Sequence, residues 1–209
     1  KHRGREPISC RLVFDLLKTA GADRIMSVDL HAAQSQGFFD GPVDHLVAMP
    51  VLVDYIRDRF QGHLDNVAVV SPDAGRIRVA EQWAQRLGGG PLAFVHKTRD
   101  ITRPNQVVAN RVVGDVAGKD CVLVDDLIDT AGTIAGACHV LQDAGAKSVT
   151  VVATHGVLSG PAIERLKNCG AREVVLTDTV PIPEEKRWDG LTVLSIAPLL
   201  ASAIRAVFE

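Results

Sequence analysis

Three stretches of this chain read as strands with almost no polar face: Val67-Ala68-Val69-Val70, Cys121-Val122-Leu123-Val124 and Val149-Thr150-Val151-Val152-Ala153. A strand that is apolar on both sides must be covered on both sides, and that is the habit of parallel sheets layered with helices. The segments between them carry helical periodicity. Helices are predicted over residues 7–20, 50–60, 77–87, 134–144, 162–167 and 198–208, and further strands over 24–30, 92–95, 173–176 and 191–196. Gly21, Gly88-Gly89-Gly90 and Gly145 stand where helices should stop. The expected fold is α/β, a parallel sheet flanked by helices with right-handed crossovers. Ligands of such sheets bind beyond the carboxyl ends of strands, so the residues that follow each strand are the candidates for function.

Composition removes several classes of partner. Net charge is -2 with no dominant basic stripe, which excludes duplex nucleic acid and an anionic membrane as main partners. No apolar run approaches the ~18 residues that span a bilayer, and no secretory leader is expected. Cys10, Cys121, Cys138 and Cys169 lie in apolar or small-residue surroundings without Cys-x-x-Cys spacing, as reduced structural thiols of a cytoplasmic protein do. The chain opens on Lys1 in a basic stretch with no initiator Met, so residues upstream are expected.

The densest chemistry follows the strand at Cys121–Val124. Asp125 and Asp126 come next, then Asp129, Thr130, Ala131, Gly132 and Thr133 form a tight turn that opens a helix. Small residues let an anion approach the unbonded N–H groups of a helix start. Two carboxylates beside such a cradle repel a phosphate, unless the ligand has a polyol end that the carboxylates accept from. A sugar phosphate has both ends. The plain alternative is a helix cap and a solvated acid pair. Gly114-Asp115-Val116-Ala117-Gly118-Lys119 has too few residues between its glycines for a Walker loop and is read as a turn.

Three other strand ends carry polar residues. Asp29 and His31 follow the first strand, where a neutral imidazole can take a metal. Ser71-Pro72-Asp73-Ala74-Gly75 follows Val70, where a carboxylate can hold magnesium and turn N–H groups can face phosphate oxygens. His96-Lys97-Thr98-Arg99 follows Val95 and leads into the polar segment 100–106, whose composition suits a lid.

Val124-Asp125-Asp126-Leu127-Ile128-Asp129-Thr130-Ala131-Gly132-Thr133 resembles the ribose-phosphate loop shared by type I phosphoribosyltransferases and ribose-phosphate pyrophosphokinases. The segment from Asp29 to Asp44 resembles the signature of the pyrophosphokinases, of the bacterial class I type, and so favours them. The resemblance implies a phosphoribosyltransferase-like domain over 49–195, the remainder of a second, similar N-terminal lobe over 1–48, and a final helix over 196–209 packing back on that lobe. It implies an enzyme that moves the diphosphoryl group of ATP to ribose 5-phosphate with Mg2+, in a hexamer. By the same resemblance His31 and Asp73 are metal sites. Asp73, Ala74, Gly75 and Arg76 approach the diphosphate, although a glycine is common in the family where Arg76 stands. Asp125, Asp126, Asp129, Thr130, Ala131, Gly132 and Thr133 hold ribose 5-phosphate, and Lys97 and Arg99 are catalytic, Arg99 also touching the sugar phosphate. A phosphoribosyltransferase and a non-catalytic regulatory subunit of the same fold are the rival readings.

Overall fold

The computed structural model describes residues 8–99 and 107–209. The chain divides into two compact units, one ending at Ala48 and one running from Met49 to Glu209.

The first unit contains helix α1 (Ser9–Thr19), strand β1 (Ile25–Val28), a 3-10 segment (Ala33–Phe38) and strand β2 (Val43–Leu46). The two strands run parallel, with Ile25 opposite Val43 and Val28 opposite Leu46. Phe14 and Phe39 are its buried rings, 6.1 Å apart between centroids. Arg24 grips Asp44 across the strand pair, with Nη2 donating to Oδ1 at 2.9 Å. The apolar face predicted on α1 exists, yet Ile8, Leu12, Val13, Leu16 and Leu17 are exposed.

The second unit is built on seven strands: β3 (Val67–Ser71), β4 (Leu92–Arg99), β5 (Val107–Val113), β6 (Asp120–Ile128), β7 (Ser148–Gly156), β8 (Glu173–Thr177) and β9 (Leu191–Leu194). They are ordered β5-β4-β3-β6-β7-β8-β9, and every neighbouring pair is parallel except β4 with β5. Helices α2 (Met49–Arg59), α3 (Ile77–Arg86), α4 (Gly132–Asp143), α5 (Ala162–Asn168) and α6 (Ala197–Phe208) complete it. Every residue of β3 is buried, as the unbroken apolar reading requires. On α4, Ile134, Ala135, Ala137, Cys138 and Leu141 share one buried stripe at helical spacing and pack into the core with Leu123, Val151, Leu166 and Leu176. Burying a side chain such as Leu123 contributes ~2 kcal/mol. Helix α4 ends at Gly145 (φ 84°), where the N–H of Ala146 reaches back to the carbonyl of Leu141.

The strand order contains a reversal. From β3 the chain crosses through α3 to β4 on one side, whereas from β6 it crosses through α4 to β7 on the other. The sheet therefore has a switch point between β3 and β6, the place where open α/β sheets leave a crevice.

β4, β6 and β7 run well past their expected ends, β7 to Gly156, and two strands were not foreseen. β4 continues through Arg99 and β6 through Ile128, so Lys97, Arg99, Asp125 and Asp126 stand within strands and not in the connections after them. The cause is pairing: β5 carries β4 onward to Arg99, and β7 carries β6 onward to Ile128 opposite Gly156. β2 and β5 are the unforeseen strands. Gly114 (φ 114°) closes β5 against β4 so tightly that a Cβ there would lie 2.7 Å from the carbonyl oxygen of Leu92. The near-Walker stretch from Gly114 to Lys119 is the connection from β5 to β6, as its spacing suggested.

Candidate functional site

The shortness of β3 between two long neighbours shapes the site. Ser71, the last residue of β3, lies opposite Phe94, and Val70 lies opposite Leu123. From those positions β4 runs on to Arg99 and β6 to Ile128, each five residues farther. At ~3.3 Å per residue β4 extends ~16 Å and β6 ~13 Å past the end of β3. Between them is a notch, and its floor is the turn that leaves β3.

That turn is organised by its own side chains. Ser71 Oγ donates to the carbonyl of Asp73 at 2.6 Å, and the N–H of Gly75 donates to Asp73 Oδ1 at 2.8 Å. Asp73 thereby caps the 3-10 turn from Ala74 to Arg76 that feeds α3. Ala74 and Gly75 are exposed on the floor. Arg76 reaches across the switch point, its Nη2 donating to Asp126 Oδ2 at 2.6 Å. Both side chains are largely covered, 22% and 13% exposed, so solvent screens this pair less than a surface ion pair.

On the β6 wall, Asp125 Oδ1 accepts the N–H of Asp126 at 2.9 Å. Burial pushes the Asp125 carboxyl up to about 7, a side-chain hydrogen bond with Asp126 adds to the rise, and the bond from the Asp126 N–H and the Arg76 charge oppose it. Asp126 is paired with the Arg76 guanidinium, while Asp125 is poised between acid and carboxylate near neutral pH.

The turn predicted from Asp129 to Thr133 lies at the mouth of the wall. Asp129, Thr130, Gly132 and Thr133 are exposed and Ala131 is buried. Ala131 is left-handed at φ 59° and precedes α4, whose first turn closes when the N–H of Ala135 meets the Ala131 carbonyl at 2.9 Å. A left-handed alanine costs ~1–2 kcal/mol, and alanine is the smallest residue with a Cβ. A reason to tolerate that cost is a turn that must present its N–H groups.

Lys97 and Arg99 lie on the β4 side of the notch, with their backbones opposite Asn110 and Val107 and a register shift between Thr98 and Arg99. The proposed lid, residues 100–106, lies outside the described residues. His31 belongs to the first unit and is exposed. Beside it, Asp29 (φ 42°) accepts the N–H of Ala48 at 3.0 Å, and the N–H of Leu30 donates to His45 Nε2 at 2.9 Å. Among the described residues, no three His, Cys, Asp or Glu side chains gather closely enough to bind a metal alone.

Sequence reasoning left two features of the site open. The role of Arg76 was undecided, because nothing local shows that a residue 50 positions later is its partner. Arg165 was not selected at all, yet its Nη1 donates to the Thr130 carbonyl at 2.9 Å.

Comparison with known proteins adds to this geometry. Residues 97–209, more than half of the chain, match the family described as the phosphoribosyl synthetase-associated domain. The whole chain is 99% identical to a ribose-phosphate pyrophosphokinase of Bifidobacterium longum and covers 62% of that protein. It is 68% identical to the ribose-phosphate pyrophosphokinase of Mycobacterium tuberculosis, of which it covers 64%. Among solved structures, phosphoribosylpyrophosphate synthetase from Mycobacterium smegmatis superposes with a TM-score of 0.91 at 64% identity, covering 100% of this chain and 66% of that one. The chain thus spans under two thirds of the length of these relatives.

Proposed function

Because this chain belongs to the family of the phosphoribosyl synthetase-associated domain, we propose that the full-length protein transfers the diphosphoryl group of ATP to the anomeric hydroxyl of ribose 5-phosphate, releasing AMP. The observation that supports this best is the notch above β3. The turn from Asp73 to Arg76, the acid pair on β6 and the turn from Asp129 to Thr133 follow or end adjacent strands, with Arg76 and Asp126 joined across the switch point, which supports reading them as one sugar-phosphate and diphosphate site.

The chain's own residues supply binding, orientation and charge. The turn from Asp129 to Thr133 takes the 5-phosphate on its N–H groups. Asp125 and Asp126 accept hydrogen bonds from ribose hydroxyls, and Asp125, near neutrality, gains its charge as it does so. Asp73, Ala74, Gly75 and Arg76 face the diphosphate. Lys97 and Arg99 offset negative charge that develops on the transferred group, and Arg99 also meets the sugar phosphate. The anomeric hydroxyl attacks the β-phosphorus, the bond to AMP breaks, and no covalent enzyme intermediate is needed; alignment and charge neutralisation supply the rate. Asp73 and His31 are the residues that would hold Mg2+, which when bound neutralises phosphate charge.

Residues 1–48 are assigned to the end of an N-terminal lobe, 49–195 to the catalytic domain and 196–209 to a closing helix. The working form is a hexamer in the cytoplasm; no helix among the described residues is long and apolar enough to cross a membrane. The test is direct. Full-length protein given ATP, ribose 5-phosphate and Mg2+ should release AMP with no nucleobase added. Release that depends on a nucleobase, or none at all, would reject the proposal.

A further inference from the structure

The turn from Asp129 to Thr133 is held from behind by the connection between β7 and α5. The carbonyl of Ile128 accepts the N–H groups of Val157 and Leu158 at 3.0 and 3.1 Å, and the carbonyl of Asp129 accepts the N–H of Ser159 at 3.0 Å. The next carbonyl, that of Thr130, accepts Arg165 Nη1 at 2.9 Å. Three consecutive carbonyls are thus drawn to one side. In a trans peptide the N–H of the following residue points opposite to the carbonyl. The N–H groups of Asp129, Thr130 and Ala131 are therefore aimed at the other side, where an anion would lie.

The support is itself fixed. Leu158 is buried at φ 53°, and its carbonyl accepts Lys186 Nζ at 3.0 Å. Of the three ties, the third is different in kind. It comes from an exposed, cationic side chain, not from backbone. The guanidinium also lies against the start of α4, 3.4 Å from where a Cβ on Gly132 would stand.

We propose that Arg165 is a positioning residue for the sugar phosphate: by taking the Thr130 carbonyl from behind the turn it aims the Ala131 N–H at the bound anion. This rests on the reading of the turn as the ribose 5-phosphate cradle. Loss of one charge-assisted bond and of an aligned N–H should weaken that ligand ~10-fold or more.

The test uses full-length protein and two readouts, calorimetric binding of ribose 5-phosphate and steady-state turnover. Arg165→Gln should raise the Kd and the KM for ribose 5-phosphate about tenfold, move the KM for ATP less than about twofold, and lower kcat by less than KM rises. Arg165→Lys, which keeps a charged donor, should fall between wild type and Arg165→Gln. The inference is overturned if Arg165→Gln binds ribose 5-phosphate as wild type does, or if both substrates lose affinity alike. Should the wild type bind ribose 5-phosphate without transferring to it, the transfer reading fails while the binding readout still decides the role of Arg165. A wild type that binds no ribose 5-phosphate overturns both.

Discussion

Asp125→Asn should make the ligand-free protein more stable, and increasingly so as pH rises. The folded chain raises this carboxyl from its ordinary 3.8 to about 7, with burial as the main cause. The group therefore prefers to be protonated when folded and to ionise when unfolded. Below about pH 4 both states are protonated and no cost arises. Between about 4 and 7 the unfolded chain ionises first, and stability is lost; above 7 the loss is complete. At ~1.4 kcal/mol per tenfold change in acidity the ceiling is ~4 kcal/mol, and sharing between the two carboxyls brings the expectation to ~2–4 kcal/mol. Asparagine keeps an acceptor for the Asp126 N–H but has no charge to bury. Urea unfolding of wild type and variant should show a gap below ~2 kcal/mol near pH 5 that grows to ~2–4 kcal/mol near pH 8. A gap that stays level or shrinks over that range refutes burial as the origin of the effect.

Arg76→Gln removes the bond across the switch point and leaves Asp126 partly buried without its cation, so stability should fall by ~1–2 kcal/mol; a double-mutant cycle with Asp126→Asn checks that the loss belongs to the pair. Ala131→Val places a β-branched residue at φ 59° in a buried position and should abolish ribose 5-phosphate binding at unchanged helix content, whereas Ala131→Gly should retain binding; calorimetry and circular dichroism separate the two effects. Lys97→Ala should lower turnover ~10²–10³-fold with unfolding midpoints unchanged, and near-normal turnover would remove Lys97 from the catalytic group.

What was legible beforehand follows the physics of each element. The apolar runs at Val67–Val70, Cys121–Val124 and Val149–Ala153 identified central strands, because double burial leaves no room for polar alternation. The glycines that ended α1, α3 and α4 were readable for the same local reason. β5 escaped notice because Asn110 and Arg111 interrupt its apolar pattern and its bonds come from an antiparallel neighbour at the sheet edge. The acids at 125 and 126 suggested a strand end, but a partner strand continues beside them and keeps the backbone extended. Motif residues of the site were visible as types. Their mutual arrangement was not: the pairing of Arg76 with Asp126, and of Arg165 with Thr130, depends on strand order and not on spacing along the chain.

Gly114 has a bearing on how this enzyme family can be altered. No side chain fits where its hydrogen sits against Leu92 and Ala93, so β5 is held close to β4 at the end remote from Lys97 and Val107. Register between them is set there, at the pair Phe94–Val113. A change in the number of residues between Arg99 and Val107 then leaves Lys97 in register opposite Asn110. The number of residues there becomes an adjustable trait, open to engineering of timing or selectivity, while β4 stays in place.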